Sequence, residues 1–215
     1  MLEAFFKRLD VFPIWFLPVV CTCIMIVLGL VYWFLLNTTL SPVNATLETS
    51  EFYGTALQKP FKPDGIVLEH TSLGQLDLIE NFDSQDKTLI LFFGFTNCPD
   101  VCPTTLAQLA RIYVSMDEPA DVQIVMVTVD PNHDTTEITQ QYASGFHPNF
   151  LGFSGSQSQI ARAAKNVFVG FRELPEVAGQ FIHTDSVVVI DKEGQMRLVY
   201  TGERLEHLPE DLAKL

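Results

Sequence analysis

An uncharged apolar stretch near the start of the chain, residues 11–36, constrains the fold more than any other feature. Its sequence, VFPIWFLPVVCTCIMIVLGLVYWFLL, contains no charged residue, and it exceeds the roughly 20 residues that a helix needs to cross about 30 Å of hydrocarbon. Trp15 stands toward one end and Tyr32 with Trp33 toward the other, as interfacial aromatic residues do. This stretch predicts a single transmembrane helix.

A cleaved signal peptide is the alternative interpretation of this stretch. Its apolar core would be shorter and would be followed by a small-x-small cleavage site. No Ala-x-Ala follows Leu36, so an uncleaved anchor is favoured. Lys7 and Arg8 precede the stretch, whereas no Lys or Arg follows it until Lys59. Because flanking cations stay on the cytoplasmic side, the chain is expected to export its C-terminal part.

The chain is therefore divided into four parts. Residues 1–10 are predicted to form a cytoplasmic tail, 11–36 the transmembrane anchor, 37–60 a polar juxtamembrane linker, and 61–215 an exported domain. A bacterial inner membrane, crossed once and with the C-terminal domain in the periplasm, is the expected setting. The net charge of −13 would repel phosphate backbones, so a nucleic-acid partner is excluded.

Two continuous apolar runs, TLILFFGF at 88–95 and VQIVMVTV at 122–129, predict strands that are buried on both faces. Between them, the pattern of TTLAQLARIYVSM places Leu106, Leu109 and Ile112 on one face of a helix. Strand, helix and strand in this order predict a parallel β-α-β unit.

Further elements follow the same alternation. Helical patterns cover residues 135–146 and 156–171, and a last short one covers 208–215. Apolar strands at 186–191 and 196–201 flank the Gly-containing turn KEGQ and read as a hairpin. The order β-α-β-α-α-β-β-α, with two cysteines at the start of the first helix, predicts a thioredoxin-like α/β domain behind the N-terminal transmembrane helix.

Four cysteines divide by location. Cys21 and Cys23 lie within the apolar stretch and are expected to have no chemistry, whereas Cys98 and Cys102 are the only thiols of the exported domain. Pro99 is predicted to be an early residue of the helix. Residues four apart share a helical face, so the two sulfurs can converge, and the helix N-terminus is expected to favour thiolates. A structural disulfide, a redox pair and half of a metal site all remain open.

A third ligand would favour the metal site, and His183 is the strongest of the five histidines. It immediately precedes the apolar strand TDSVVVID, an edge that a thioredoxin-like fold brings next to the cysteine helix. A purely structural histidine at a strand start is the alternative. Two thiolates and one imidazole suit Cu(I), which tolerates three ligands, better than zinc, which usually takes four.

Three segments carry a family resemblance. GFTNCPDVCPTTL, VTVDPNHDT and HTDSVVVIDKEG resemble, in the same order and at similar spacing, the signatures of the Sco/SenC family of copper chaperones. The resemblance spans residues 65–205 and extends to the N-terminal anchor. It implies a thioredoxin-like fold, copper bound by Cys98, Cys102 and His183, and delivery to the binuclear copper centre of cytochrome c oxidase.

The resemblance also implies partners. The expected recipient is the copper-accepting subunit of the oxidase, and a second periplasmic copper chaperone or a thiol reductant is a further candidate. Cu(I) is the favoured oxidation state, with Cu(II) as the alternative. The first hypothesis is therefore a metallochaperone rather than an enzyme. The second is a thiol-disulfide oxidoreductase that uses Cys98 and Cys102 to reduce the cysteines of the oxidase subunit.

Some positions depart from the family pattern or have more than one interpretation. Ile182 stands where the family usually has Asp before the histidine, and His133 stands where another basic residue is common. Asp130 and Asp134 are expected either to cap a turn or to organise the copper-site loop and contact a partner. Asp100, between the cysteines, can hydrogen-bond within the loop, but an acid close to the thiolates would raise their pKa. It is therefore expected to support the ligands at most indirectly.

Overall fold

The computed structural model describes residues 16–39, 51–175 and 179–215. The chain divides into two compact units, Met1–Thr49 and Ser50–Leu215. In the first unit, helix α1 covers Phe16–Thr39, and by length and composition its segment Pro18–Leu35 is suited to crossing a membrane. The predicted cytoplasmic tail, residues 1–10, and the predicted linker as far as residue 50 lie outside the described residues, except for the last turn of α1.

The second unit is built on a six-stranded sheet. Three strands that follow one another along the chain are parallel neighbours. The first of these also pairs antiparallel with a fourth strand, and two more strands extend the sheet beyond the fourth, each antiparallel to its neighbour. From one edge to the other the strands are β1 (Thr55–Phe61), β10 (Met196–Tyr200), β9 (Val187–Ile190), β4 (Thr88–Gly94), β5 (Val122–Thr128) and β6 (Leu151–Phe153).

Two small antiparallel hairpins complete the strands. They are β2 (Val67–His70) with β3 (Gly74–Asp77), and β7 (Phe171–Glu173) with β8 (Phe181–His183). The helices are α2 (Leu78–Asp83), α3 (Val101–Ser115), α4 (Thr136–Ser144), α5 (Gln157–Asn166) and α6 (Leu208–Leu212), and a 3₁₀ helix covers Gly202–His207.

The central β4-α3-β5 unit has the predicted form. Every residue of β4 and β5 is buried, as their unbroken apolar runs require of central parallel strands. Helix α3 buries Leu106, Leu109 and Ile112 in the core. Because parallel strands end at the same edge of the sheet, the loops after β4 and β5 lie side by side: Val129 N–H donates to the Gly94 carbonyl at 2.8 Å.

Polar side chains determine where several helices begin. The Asp77 carboxylate caps α2, and the Thr135 hydroxyl caps α4. Helix α5 starts with a capping box between Ser156 and Gln159, in which each side chain accepts from the other residue's backbone N–H. These contacts satisfy amides that the first helical turn leaves without an intrahelical partner.

The structure differs from the sequence-based expectation in several elements. Strand β1 is paired with β10, so part of the stretch predicted as linker belongs to the sheet. The helical pattern predicted over 156–171 ends at Asn166, and residues 171–173 instead form β7. The strands at 88–95, 122–129, 186–191 and 196–201 are confirmed within one or two residues.

Candidate metal site

The two cysteines lie where β4 passes into α3. Cys98 is half-buried in the loop, and Cys102 is fully buried in the first turn of the helix. Helix α3 begins at Val101 after the N-cap residue Asp100, so the prediction that Pro99 is an early helical residue is wrong. The backbone N–H of Cys102 donates to the Cys98 sulfur at 3.4 Å. One free amide of the helix N-terminus is therefore directed at a sulfur.

A glycine allows Cys102 to approach the sheet. A Cβ atom added at Gly94, the last residue of β4, would lie 2.9 Å from the Cys102 sulfur and 2.8 Å from a ring carbon of Phe92. Both distances are below van der Waals contact, so a side chain at this position would displace the sulfur, the ring or both. The close packing of strand and helix thus fixes the depth at which the Cys102 sulfur lies.

His183 reaches the cysteines from the β7-β8 hairpin. It is the last residue of β8 and pairs with Phe171 of β7. Its ring lies edge-on to the rings of Phe92 and Phe95, at centroid distances of 6.1 and 6.0 Å. In this orientation its Nε2 atom lies 3.3 Å from the Cys102 sulfur.

A backbone carbonyl determines the tautomer of His183. Its Nδ1 atom lies 2.9 Å from the Thr184 carbonyl oxygen. A carbonyl can only accept, so Nδ1 carries the proton and Nε2 presents its lone pair to Cys102. A histidine that ligates a metal commonly holds its other ring nitrogen to a carbonyl or carboxylate in this way.

The donor atoms of Cys98, Cys102 and His183 all lie within 4.8 Å of one another. An ion held at about 2.0–2.3 Å by three ligands in a plane would separate those ligands by about 3.5–4 Å. A small inward movement of one side chain would therefore close the cluster around an ion. The donor set of two sulfurs and one imidazole nitrogen fits a soft, three-coordinate ion. The structure thus brings together the three residues that the sequence singled out.

The protonation of Cys102 differs from the expectation. Burial raises the pKa of the Cys102 thiol well above its ordinary value, and a hydrogen bond with Cys98 raises it further, against a smaller lowering by backbone contact with Phe95. The prediction that the helix N-terminus favours a thiolate is thus wrong for Cys102. Without metal, its S–H group can donate to His183 Nε2.

Asp134 ties the cysteine loop to the neighbouring strand. Its buried carboxylate accepts from the Thr96 N–H at 2.9 Å, from the Thr96 hydroxyl at 2.5 Å and from the Thr128 hydroxyl at 2.6 Å. Thr96 stands two residues before Cys98, and Thr128 ends β5. Of the two roles considered for Asp134, organising the loop is therefore the one that its contacts support. In the sequence, the only indication of this role was that Asp134 follows the predicted strand that became β5.

Asp130 and His133 lie beside the hairpin that carries His183. The His133 Nδ1 atom lies 2.7 Å from the buried Asp130 carboxylate. A Cβ atom added at Gly179, where φ is +73°, would lie 3.3 Å from His133 Cε1. The Gly179 N–H donates to the Glu173 carboxylate of β7 at 3.0 Å. The loop after β5 thus lies against the β7-β8 hairpin, a contact that the sequence did not reveal.

The remaining predicted positions are not part of the cluster. Asp100 and Ile182 are exposed at its rim, and neither supplies a donor atom to the cluster. Cys21 and Cys23 are free cysteines on α1, in the other unit of the chain.

Comparison with known proteins identifies the family. The SCO1/SenC family model matches residues 74–215. A protein of Stutzerimonas stutzeri, named as a candidate copper-binding protein, is 32% identical over 139 residues, which cover 59% of this chain and 67% of that protein. The matches to mitochondrial SCO homologues of mammals and Arabidopsis thaliana cover less than half of those proteins.

Solved structures agree with this assignment. Apo Sco1 of Thermus thermophilus is 39% identical, with a TM-score of 0.64 over 76% of this chain and 94% of that one. Yeast Sco1 with copper bound is 28% identical, with a TM-score of 0.59 over 74% of this chain and 89% of that one. Fold, site geometry and sequence agree: the chain belongs to the SCO1/SenC family.

Proposed function

We propose that the chain is a membrane-anchored copper chaperone that holds one copper ion with Cys98, Cys102 and His183 and delivers it to the binuclear copper centre of cytochrome c oxidase. The observation that carries the proposal is the convergence of these three donor atoms within 4.8 Å. Copper is the cargo in this proposal: it must bind tightly enough to be carried and remain accessible enough to leave.

Exposure around the cluster supports a carrier rather than a closed structural site. Cys98 and His183 are each partly open to solvent, whereas Cys102 lies beneath them. The side chains of Cys98 and His183 border a surface cavity with a volume of about 400 Å³. An incoming ligand of the recipient could therefore reach the copper ion from the side of Cys98 and His183.

The length and composition of α1 support an anchor. With the cations Lys7 and Arg8 before it, we infer a single-pass bacterial inner-membrane protein with its copper domain in the periplasm. Tethering would keep the carrier close to a membrane-bound oxidase and raise its effective concentration there.

The arrangement of the two thiols also favours the second candidate, a thiol-disulfide oxidoreductase. Cys98 is accessible and Cys102 is buried beside it, as an attacking and a resolving thiol would be. In that reaction Cys98 and Cys102 would become a disulfide while a disulfide of the recipient gained two electrons and two protons. The same disulfide would remove both sulfur ligands, so oxidation would prevent copper loading.

The test compares His183→Ala with Cys98→Ser and Cys102→Ser in two assays. The first is anaerobic Cu(I) affinity of the reduced full-length protein in detergent; the second is oxidase assembly in cells that lack the chromosomal copy. The chaperone proposal predicts that all three variants lose copper affinity and fail to support assembly.

A different pattern would favour the reductase. If His183→Ala kept both copper affinity and assembly while either cysteine variant abolished assembly, the copper-chaperone proposal would fail. A matched control is His207→Ala, because His207 is a partly exposed histidine near the C-terminus and lies outside the cluster.

A further inference from the structure

A groove lies along helix α3, beside the metal cluster. Its volume is about 650 Å³, and its floor includes the buried residues Val187, Tyr200 and Leu205. Helix α3 forms one wall, and part of the 3₁₀ helix forms the other. The α3 wall consists of Val101, Thr104, Thr105, Gln108 and Arg111.

The groove adjoins the cavity over the cluster. Asp100, Val101 and Asp185 line both. From Val101 to Arg111 the helix rises by about 15 Å, a length that about four or five residues of extended peptide would span. A chain segment that reaches the copper site from this side would therefore lie along the α3 wall.

Polar groups of the wall have no partner within the described part of the protein. The side chains of Thr104, Thr105 and Gln108 make no hydrogen bond to a described residue, and Arg111 makes no ion pair with one. The two threonines lie about one helical turn before Gln108, and Gln108 lies about one turn before Arg111. They offer donors and acceptors to the alternating N–H and C=O groups of an extended backbone.

Charge is unevenly distributed along the groove. Two carboxylates, Asp100 and Asp185, stand at the end near the metal cluster, and a third, Glu206, lies on the opposite wall. Arg111 is the one cation among the groove residues, and it stands at the end of the wall farthest from Cys102. A ligand with a cation near the copper site and a carboxylate toward Arg111 would match this pattern.

We propose that this groove docks an extended peptide segment of the copper acceptor, so that the segment's metal ligands meet Cys98 and His183 while a carboxylate of the same segment pairs with Arg111. The proposal rests on the proposed chaperone function and adds to it the direction from which the recipient approaches. The groove would recognise the recipient by its backbone and charge pattern, whereas the cluster holds only the ion.

The test separates docking from copper binding. Arg111→Glu reverses the charge at the far end, and Gln108→Trp fills the groove without changing charge. Arg162→Glu is the matched control, because Arg162 is an exposed arginine on α5 and lies outside the groove. For each full-length protein in detergent, two quantities are measured: Cu(I) affinity by competition with a chelator, and the second-order rate of copper transfer to the purified soluble copper domain of the oxidase subunit from the same organism.

We expect both groove variants to slow transfer on the order of tenfold, while their copper affinity stays at the parent's value and the control behaves as the parent does. The retained affinity also shows that the variants fold. Parent-like transfer by both groove variants would overturn the groove proposal and leave the chaperone function standing. If the parent binds copper but transfers none, the delivery step is wrong and the groove proposal falls with it.

Discussion

Cys102 is the residue whose protonation is expected to make copper loading depend on pH. Because burial raises the pKa of this thiol, Cys102 keeps its proton through the neutral range and must release it when copper binds. We therefore expect apparent Cu(I) affinity to increase from about pH 6 to pH 9, by about tenfold per pH unit for each proton released. Chelator competition at a series of pH values measures it, and a flat profile would show that copper does not displace the Cys102 proton.

Asp134 is the residue whose loss should disturb the cysteine loop most without touching a proposed ligand. Asp134→Asn replaces one carboxylate oxygen by a donor that faces N–H and O–H donors of Thr96 and Thr128. We expect a loss of about 1–3 kcal/mol in the free energy of unfolding and faster alkylation of Cys98. Asp117→Asn, at an exposed turn position where φ is +64°, is the control and should change neither.

The proposed ligands could be predicted from the sequence, whereas their supports could not. Cys98 and Cys102 share one motif and His183 opens another, and each has a donor atom that few residue types supply. Asp134 was one of two acidic residues that fitted a turn equally well. Its contact with Thr96 joins positions 38 residues apart, and only the pairing of β4 with β5 brings them together.

Strand β4 and helix α3 pack closely against each other at Gly94. Gly94→Ala would force a methyl group against the Cys102 sulfur and the Phe92 ring. We expect a loss of about 1–3 kcal/mol in unfolding free energy and weaker Cu(I) binding, because the sulfur must move away from the other two ligands. Gly170→Ala is the control, since a Cβ atom at Gly170 meets nothing within 4 Å. Equal copper affinity for the parent and Gly94→Ala would contradict this account.

Elements with long patterns were predictable, and short ones were not. The β4-α3-β5 unit was predicted because each strand has seven buried residues and the helix has four turns of apolar period. The β7-β8 hairpin has only three residues in each strand, too few for an alternating pattern to stand out. Its first strand also follows α5 so closely that the predicted helix extended into it.

At the scale of the whole second unit, Ser50–Leu215, Asp211 joins residues just before the first strand to the C-terminal helix. Its buried carboxylate accepts from the Gly54 N–H at 2.9 Å, from the Tyr200 hydroxyl at 2.6 Å and from Lys214 at 3.0 Å. Burial acts to raise the pKa of Asp211, but these hydrogen bonds outweigh it and hold the pKa below its ordinary value. The residues before β1 are thus fixed to the C-terminal helix α6.

We expect Asp211→Asn to destabilise the domain by about 1–3 kcal/mol at neutral pH. A carboxyl with a lowered native pKa contributes stability above its unfolded pKa of about 4, and that contribution is lost as the pH falls through the native pKa. The difference between parent and variant should therefore shrink in acid. Urea unfolding of residues 45–215 at several pH values measures it, with the exposed neighbour Glu210→Gln as control. A difference that stays constant down to the lowest pH would contradict this role.

The central claim is that one copper ion is held by two cysteine sulfurs and one histidine nitrogen. X-ray absorption at the copper edge of the anaerobically Cu(I)-loaded protein tests it most directly. We predict one copper ion per chain with two sulfur neighbours and one nitrogen neighbour, and the loss of the nitrogen in His183→Ala. An unchanged copper environment in His183→Ala, or a parent spectrum without two sulfur ligands, would contradict it.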